Sequence, residues 1–338
     1  MSKVMKAVRL HAFGGPDELH YEDATMPVPV AGEVLVRVYA AGINPPDLYL
    51  REGYRTLPPE WQPSPQFPLI PGTDVSGVVM AVHDDDTGFR VGDEVYAMIR
   101  FPDNLFTGSG GYAEYVTVPA KQLALKPRNI NHVQAAAAPM SLLTAWQFLV
   151  ETGHDAPNPF QSFPHVPVAL KGKTVLVNGA GGGVGHLAVQ IACWKGAHVI
   201  AVASGRHESL LRELGAETFM DYKKVAPEAH VKNIDLVIDT VGGNDMARFL
   251  RVIRPGGALY PVNPLGFTDY DEAARLGVTV SSIQVRSSGK QLNDAAVLLE
   301  DGTLRIVVEN TWPLYEAAKA HERASRGSIQ GKLVLTFA

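Results

Sequence analysis

Apolar and polar positions alternate in short runs over roughly the first 125 residues. Val34–Ala40 (VLVRVYA), Val75–Val82 (VSGVVMAV), Glu94–Ile99 (EVYAMI) and Tyr112–Val118 (YAEYVTV) are the clearest. Each run is rich in Val, Tyr or Thr and bounded by Gly, Pro, Asp or Asn, which predicts strands ended by turns. Helical periodicity is scarce there. The segment reads as a compact all-β unit, a partly closed barrel.

Near residue 130 the period changes. His132–Val150 carries Ala and Leu at helical spacing, with Asn131 as its N-cap. Strands and helices then alternate. Thr174–Asn178 is a buried strand, and Val184–Lys195 a helix with Val184, Leu187, Ala188, Ile191 and Ala192 on one face. His198–Ala203, Glu217–Tyr222, Asp235–Thr240 and Ala258–Val262 follow as strands, with a helix at Glu208–Leu214. That rhythm predicts a doubly wound parallel sheet. It weakens from about residue 280, and Lys332–Phe337 closes as a strand that can rejoin the β unit. The expected division is 1–128, 129–280 and a returning segment 281–338. Two Pro-rich stretches, Leu57–Phe67 and Gly153–Val168, read as long surface loops.

Composition narrows the function classes. The 338 residues carry a net charge of −5 and no long run of Lys or Arg, which argues against nucleic acid and against an anionic membrane surface as partners. The longest apolar stretch, Ala135–Val150, is interrupted by Pro139, Ser141, Thr144 and Gln147 and falls short of the ~20 residues of a spanning helix. Met1–Leu10 lacks the apolar core of a signal peptide. Cys193 is the single cysteine, so no disulfide framework and no multi-cysteine metal site can form within the chain. A cytoplasmic setting is the expectation.

The strongest chemical signal is Thr174–Gly185, TVLVNGAGGGVG. A buried strand runs into glycines and then into an amphipathic helix. A diphosphate sits on such a helix N-terminus, where unpaired N–H groups and the dipole favour an anion, and glycines let the backbone approach it. The spacing is GxxGxxG through Gly179, Gly182 and Gly185, not the strict GxGxxG. The next strand ends Ala203-Ser204-Gly205-Arg206-His207, with no acid before Glu208. An NAD site places Asp or Glu near there, about 20 residues after the glycines. A hydroxyl followed by a guanidinium suits a 2′-phosphate, so the cofactor reads as NADP(H). A merely solvated Arg206 remains the alternative.

Taken in order, the motifs resemble the medium-chain dehydrogenase/reductase superfamily, in its zinc-independent quinone oxidoreductase-like (zeta-crystallin-like) branch. Ala41–Tyr54 (AGINPPDLYLREGY), Pro68–Val79 (PLIPGTDVSGVV), Val91–Val95, Gly110–Val116 and Thr144–Trp146 carry the resemblance, followed by GAGGGVG, Leu214–Ala216, Asp235–Gly243 (DLVIDTVGG), Pro255–Gly257 and Gly331–Leu333. It covers nearly the whole chain. It implies an α/β protein, a Rossmann doubly wound parallel sheet plus a GroES-like β-rich catalytic domain, with the cofactor in the cleft between them and a homodimeric assembly. Zinc members hold their metal through two Cys and a His. Here Asn44 stands in place of the first Cys and Gly72-Thr73-Asp74 in place of Gly-His-Glu, so no metal site is expected.

The resemblance also assigns roles. Asn44, Tyr49 and Tyr54 are the candidate oxygen-polarising or substrate-orienting residues, a task that falls to hydrogen-bond donors when zinc is lacking. Tyr54 departs from the branch by one residue, because Gly53 and Tyr54 are adjacent. Each tyrosine has a plain alternative as a packing residue. Gly179, Ala180, Gly182, Gly183, Val184 and Gly185 would cradle the diphosphate; Ser204, Arg206 and Tyr222 would surround the 2′-phosphate, and Asn263 would reach the nicotinamide side. The expected activity is NADPH-dependent reduction of a quinone or an α,β-unsaturated carbonyl compound. A non-catalytic NADPH-binding protein, structural or regulatory, is the alternative. Tyr315–Lys319 matches the YxxxK of short-chain dehydrogenases, but those folds open on the glycine turn, and no Ser stands about a dozen residues earlier. Cys193 reads as structural.

Overall fold

The computed structural model describes residues 3–337 except 56, 58, 60, 61, 63, 85, 86, 104–106, 157, 159 and 160. Pro58, Pro63, Pro157 and Pro159 of the Pro-rich stretches therefore lie outside the described residues.

In chain order the first elements are β1 (Val4–Leu10), β2 (Leu19–Thr25), β3 (Glu33–Ile43), α1 (Pro45–Glu52), β4 (Asp74–Val82), β5 (Glu94–Met98), β6 (Tyr115–Pro119) and β7 (Ala124–Leu125). Two helices follow, α2 (His132–Ala137) and α3 (Pro139–Leu149). The single helix expected over 132–150 is broken there, and the physical cause is Pro139, which has no N–H to donate into a continuing helix. Asn131 caps α2: its Oδ1 accepts from Gln134 N–H at 2.9 Å, and Gln134 Oε1 accepts from Asn131 N–H at 3.2 Å. The strand expected at Tyr112 starts instead at Tyr115, because Tyr112 N–H donates to Pro71 O and its carbonyl accepts from Val8, outside the sheet ladder.

The second series is β8 (Thr174–Asn178), α4 (Gly183–Trp194), β9 (His198–Ala203), α5 (Glu208–Glu213), β10 (Thr218–Asp221), α6 (Pro227–His230), β11 (Ile234–Asp239), β12 (Ile253–Pro261), α7 (Tyr270–Arg275) and β13 (Thr279–Val280). The chain closes with α8 (Gly289–Glu300), β14 (Val308–Pro313), α9 (Ala317–Ser325) and β15 (Lys332–Thr336).

Two compact units result. The first comprises 1–143, 286–302 and 306–338; the second comprises 144–285 and 303–305. In the first, seven strands form one sheet in the order β14-β15-β3-β4-β5-β7, with β6 also paired to β3, while β1 and β2 pair separately. β15 runs antiparallel to β3, placing Leu333 opposite Ile43. Val34, Val36, Val75, Val79, Val95 and Val118 fill the core beneath this sheet. In the second unit six strands are all parallel, in the order β10-β9-β8-β11-β12-β13. Leu176, Val202, Val237 and Leu259 pack there with Phe249 and Met246. Each such side chain contributes on the order of 2 kcal/mol by leaving water. The order reverses direction at β8, so the crevice beyond the carboxyl ends of β8 and β11 is where a doubly wound sheet takes its ligand. Among the described residues no helix is long and apolar enough to cross a membrane.

Removing the α2 cap tests the local reading: Asn131→Ala is expected to destabilise the protein by about 1 kcal/mol in urea unfolding followed by circular dichroism. No change would show that the reciprocal hydrogen bonds contribute nothing.

Candidate active site

β8 delivers the chain into Gly179, whose φ of 76° lies in the left-handed region that glycine favours. Gly179 and Ala180 both donate N–H groups to Val202 O at 3.0 Å, binding the turn to β9. A Cβ on Gly179 would collide with Thr240 Oγ1, and a Cβ on Gly185 with the Gly179 carbonyl oxygen, so α4 lies flush on the turn. Gly182 differs. A Cβ there meets only Gly179 O, at 3.4 Å, so its face is open. Gly182 is the N-cap of α4 and no side chain caps the helix, which leaves the N–H groups of Gly183, Val184 and Gly185 directed at that open face. A bare helix N-terminus beside a glycine face fits the diphosphate of a dinucleotide.

The turn after β11 braces the same place. Asp239 Oδ1 accepts from Val241 N–H at 2.8 Å and Gly242 N–H at 2.9 Å, and its Oδ2 accepts from Asn178 Nδ2 at 3.2 Å. Gly242 lies against Asn263, whose Oδ1 accepts from Leu265 N–H at 3.2 Å. Asn263 therefore stands at the carboxyl end of β12, beside the β11 turn.

At the end of β9, Ser204 is buried and Arg206 is exposed. Arg206 Nε donates to His207 Nε2 at 3.2 Å, and the buried His207 ring packs beneath Gly181. Tyr222, 46 % exposed, donates its N–H to Ala203 O at 3.3 Å, which brings it to the end of the same strand. The fold thus gathers Ser204, Arg206 and Tyr222. It adds one residue that the sequence reading missed: Asp221, at the end of β10, whose Oδ2 would lie 2.7 Å from a Cβ on Gly205. No acid stands at the end of β9, but one from the next strand, β10, lies beside it. The visible signal was the Asp221–Tyr222 pair, and only the parallel register Asp221↔Ala203 made it relevant.

The first unit holds Asn44, Tyr49 and Tyr54 together on α1 and its flanks. Asn44 caps the helix: its N–H donates to Asp47 Oδ2 at 2.8 Å. Its side chain is only 2 % exposed. Both amide hydrogens are committed, to Thr73 Oγ1 at 2.8 Å and Asp74 Oδ2 at 2.9 Å, and its Oδ1 accepts from Lys332 Nζ. Tyr54 is 7 % exposed, has φ 50°, and donates its hydroxyl to Pro46 O at 3.1 Å within the apolar cluster of Leu50, Leu69 and Tyr112. Burial raises its pKa. Tyr49 is 37 % exposed and stands edge-on to the Tyr54 ring, 6.2 Å between centroids. Of the three side chains it is the one facing outward.

Beneath α1 lies a buried charge cluster. Lys332 Nζ also donates to Ile43 O at 2.8 Å, and Asp74 accepts from Met140 N–H at 3.0 Å. Burial pushes the Asp74 carboxyl up to about 6 and that of Asp47 up to about 7, the neighbouring Asp74 adding to the latter. Burial lowers the pKa of Lys332, while Asp74 and Asp47 oppose that shift. On the other side Arg51 Nη1 donates to His321 Nδ1 at 3.3 Å, so the His321 proton sits on Nε2 and is donated to the Tyr112 oxygen at 3.1 Å. Burial and Arg51 hold His321 neutral, its pKa down to about 3. The Tyr112 hydroxyl faces the Asp47 carboxyl, whose Oδ1 is buried and makes no hydrogen bond of normal geometry. Among the described residues no three His, Cys, Asp or Glu side chains are grouped to hold a metal ion.

Two family models match the chain, an Alcohol dehydrogenase GroES-like domain over residues 30–128 and a Zinc-binding dehydrogenase over 214–335. NAD(P)H oxidoreductase RTN4IP1, mitochondrial, from Bos taurus is 33 % identical over 374 residues, covering 99 % of this chain and 89 % of that protein. Quinone oxidoreductase from Homo sapiens is 29 % identical, covering 98 % of each. Among solved structures, the quinone oxidoreductase from Coxiella burnetii aligns with a TM-score of 0.84 at 30 % identity, over 99 % of both chains.

Two outcomes check this geometry. Gly185→Ala, which drives a methyl group into the turn, is expected to cost about 1–3 kcal/mol of stability and to weaken dinucleotide binding, whereas Gly182→Ala leaves the melting temperature nearly unchanged and lowers binding alone. Calorimetric titration with NADPH and a thermal melt of each variant read the two effects. The second concerns pH. Asp47 and Asp74 have folded-state values above the ordinary 3.8, so the stability they contribute is fully present below that value and lost as pH rises through about 6 and 7. The melting temperature should fall between pH 5 and pH 8, and Asp47→Asn should flatten the fall; an equal fall in the variant would move the effect elsewhere.

Proposed function

We propose that this chain, which belongs to the medium-chain dehydrogenase/reductase superfamily and its quinone oxidoreductase-like branch, is an NADPH-dependent, zinc-independent reductase of quinones or α,β-unsaturated carbonyl compounds. Its relatives support the coarser statement directly: it is an NAD(P)H-dependent oxidoreductase. The observation that carries the reading is the open face of Gly182 under the uncapped N-terminus of α4, at the switch point of the parallel sheet.

Gly179, Ala180 and Gly182–Gly185 would hold the diphosphate through backbone N–H groups. Ser204, Arg206 and Tyr222 would surround the adenosine end, Arg206 supplying the fork that prefers a 2′-phosphate. Asn263 would stand toward the nicotinamide half. The bound nicotinamide supplies a hydride from C4 to an electrophilic carbon. The protein's part is to polarise the acceptor oxygen and deliver a proton. Tyr49 is our candidate for that donor, since it faces outward while the Asn44 amide and the Tyr54 hydroxyl are engaged within the protein. Asn44 and Tyr54 then orient α1 and, through it, Tyr49.

Two second readings have particular support. Asp221 beside Gly205 could accept from a ribose hydroxyl, which would suit NADH as well. The engaged donors of Asn44 and Tyr54 favour a non-catalytic NADPH-binding protein. A homodimer and a cytoplasmic location are further proposals, to be read by light scattering and by fractionation of cells, the latter because a relative is named mitochondrial.

Oxidation of NADPH and NADH, each with quinone and enone panels, tests the reading. Arg206→Ala should raise the KM for NADPH ~tenfold more than that for NADH; equal effects would remove the 2′-phosphate assignment. Asp221→Ala should weaken NADH the more. Tyr49→Phe should lower kcat ~10²-fold or more, and unchanged turnover would leave water as the proton donor. NADPH binding without turnover on any acceptor would favour the binding protein.

A further inference from the structure

The described residues of the Pro-rich segment Gly153–Val168 are anchored to the rest of the nucleotide-binding unit by specific bonds. Gln161 Oε1 accepts from Ser282 N–H at 2.7 Å. The buried His165 ring bridges two elements. Its Nε2 donates to Phe148 O at 3.0 Å, so its Nδ1 accepts from the Ser281 hydroxyl at 2.9 Å. Tyr260 Oη accepts from Val168 N–H at 3.1 Å and donates to Val166 O at 3.2 Å. The rings of Phe148, His165 and Tyr260 pack together, with centroids 4.6–6.0 Å apart. These ties hold the segment over the carboxyl end of β13.

Between the segment and residues 282–284 lies a cavity of about 240 Å³. Ile283 is buried in its wall, and Phe163 and Pro164 are exposed beside it. Asp155 adds an acidic side chain. The position matters more than the size. Ser282 Oγ donates to Pro261 O at 2.8 Å, so one wall is bonded to the last residue of β12, two residues before Asn263. In a sheet of this order the glycine turn on β8 takes the diphosphate and the β9 side takes the adenosine, so the reactive half of the dinucleotide lies toward β11 and β12. Through Ser282 the cavity wall is tied to the β12 side of the sheet, the side on which that half would lie.

We propose that this cavity is an acceptor subsite, built by the 153–168 segment within the nucleotide-binding unit, for an uncharged flat acceptor of one or two fused rings. The inference rests on the reductase reading above. Phe163 and Ile283 offer apolar faces to a ring. A volume below the roughly 300–1,000 Å³ of pockets for larger ligands leaves no room for a long side chain. Asp155 repels an acceptor bearing a carboxylate. One- and two-ring quinones and cyclic enones meet all three conditions.

The test is steady-state kinetics of the full chain with NADPH and 1,4-naphthoquinone, an open-chain enal, and a naphthoquinone carrying a carboxylate, for wild type and Phe163→Ala. Phe163 is exposed, so its truncation spares the core. A KM for naphthoquinone raised ~tenfold in the variant, with the KM values for NADPH and the enal unmoved, supports the subsite. Equal changes for all three acceptors, or none, overturn it. Asp155→Asn should lower the KM for the charged quinone selectively, and no change there removes the part assigned to Asp155. If wild type reduces none of the three, the reductase reading fails. Calorimetric titration of naphthoquinone into the NADP-loaded protein then decides the subsite alone: binding that Phe163→Ala weakens supports it, and no binding, or binding the variant leaves intact, overturns it.

Discussion

A lysine buried away from water has to find hydrogen-bond acceptors where it stands, and in the first unit that constraint organises the contacts at the start of α1. Lys332 opens β15, yet its ammonium reaches Ile43 O and the Asn44 amide at the end of β3. Asn44 passes the interaction to Asp74, at the start of β4, and Asp74 receives Met140 N–H from α3. One cluster thus joins three neighbouring strands and a helix start. Buried polar and charged groups are costly to desolvate and costlier still to leave without a partner, so the value of this cluster lies in geometry more than in net stability. The geometry is the orientation of the Asn44 amide, with its oxygen toward Lys332 and its hydrogens toward Thr73 and Asp74, and hence the start of the helix that carries Tyr49 and leads into Tyr54.

The nucleotide-binding unit achieves the opposite condition. There the backbone is kept bare. Gly179 and Gly185 close on one another so tightly that no side chain fits, and this contact leaves Gly182 facing outward under unpaired N–H groups. Asp239 and Asn178, opposite each other in the β11–β8 register, stiffen the ends of the two strands that frame the turn. A rigid, uncapped helix start offers an anion donors that need no reorganisation on binding. The two units therefore differ in kind: one buries polar and charged groups around the start of α1, the other leaves backbone exposed at the start of α4.

The 153–168 segment shows why loop composition alone is a poor guide to role. Four prolines and no periodicity suggest a passive surface loop. The bonds of Gln161 and His165 to Ser282 and Ser281 make it part of the wall at the carboxyl end of the sheet. Those partners are more than a hundred residues away, so no local pattern announces them.

The sequence by itself determined the architecture. Period-two runs before residue 130 and the strand–helix rhythm after it are local consequences of which face each side chain buries, and they are legible without coordinates. The glycine turn was equally legible, since its order of buried strand, glycines and amphipathic helix is a contiguous requirement. So was the Asn131 cap. Tertiary structure alone decided which donors are free. Asn44 and Tyr54 look like reactive groups in a motif, but partners 29 to 288 residues distant engage Asn44, and the fold of α1 turns the Tyr54 hydroxyl onto Pro46. It also decided that Asp221 stands beside Gly205, through a parallel register invisible in either strand. Hydrophobic period records which face is buried; hydrogen-bond satisfaction depends on what the rest of the chain brings to that face, and this exists only once the strands have paired.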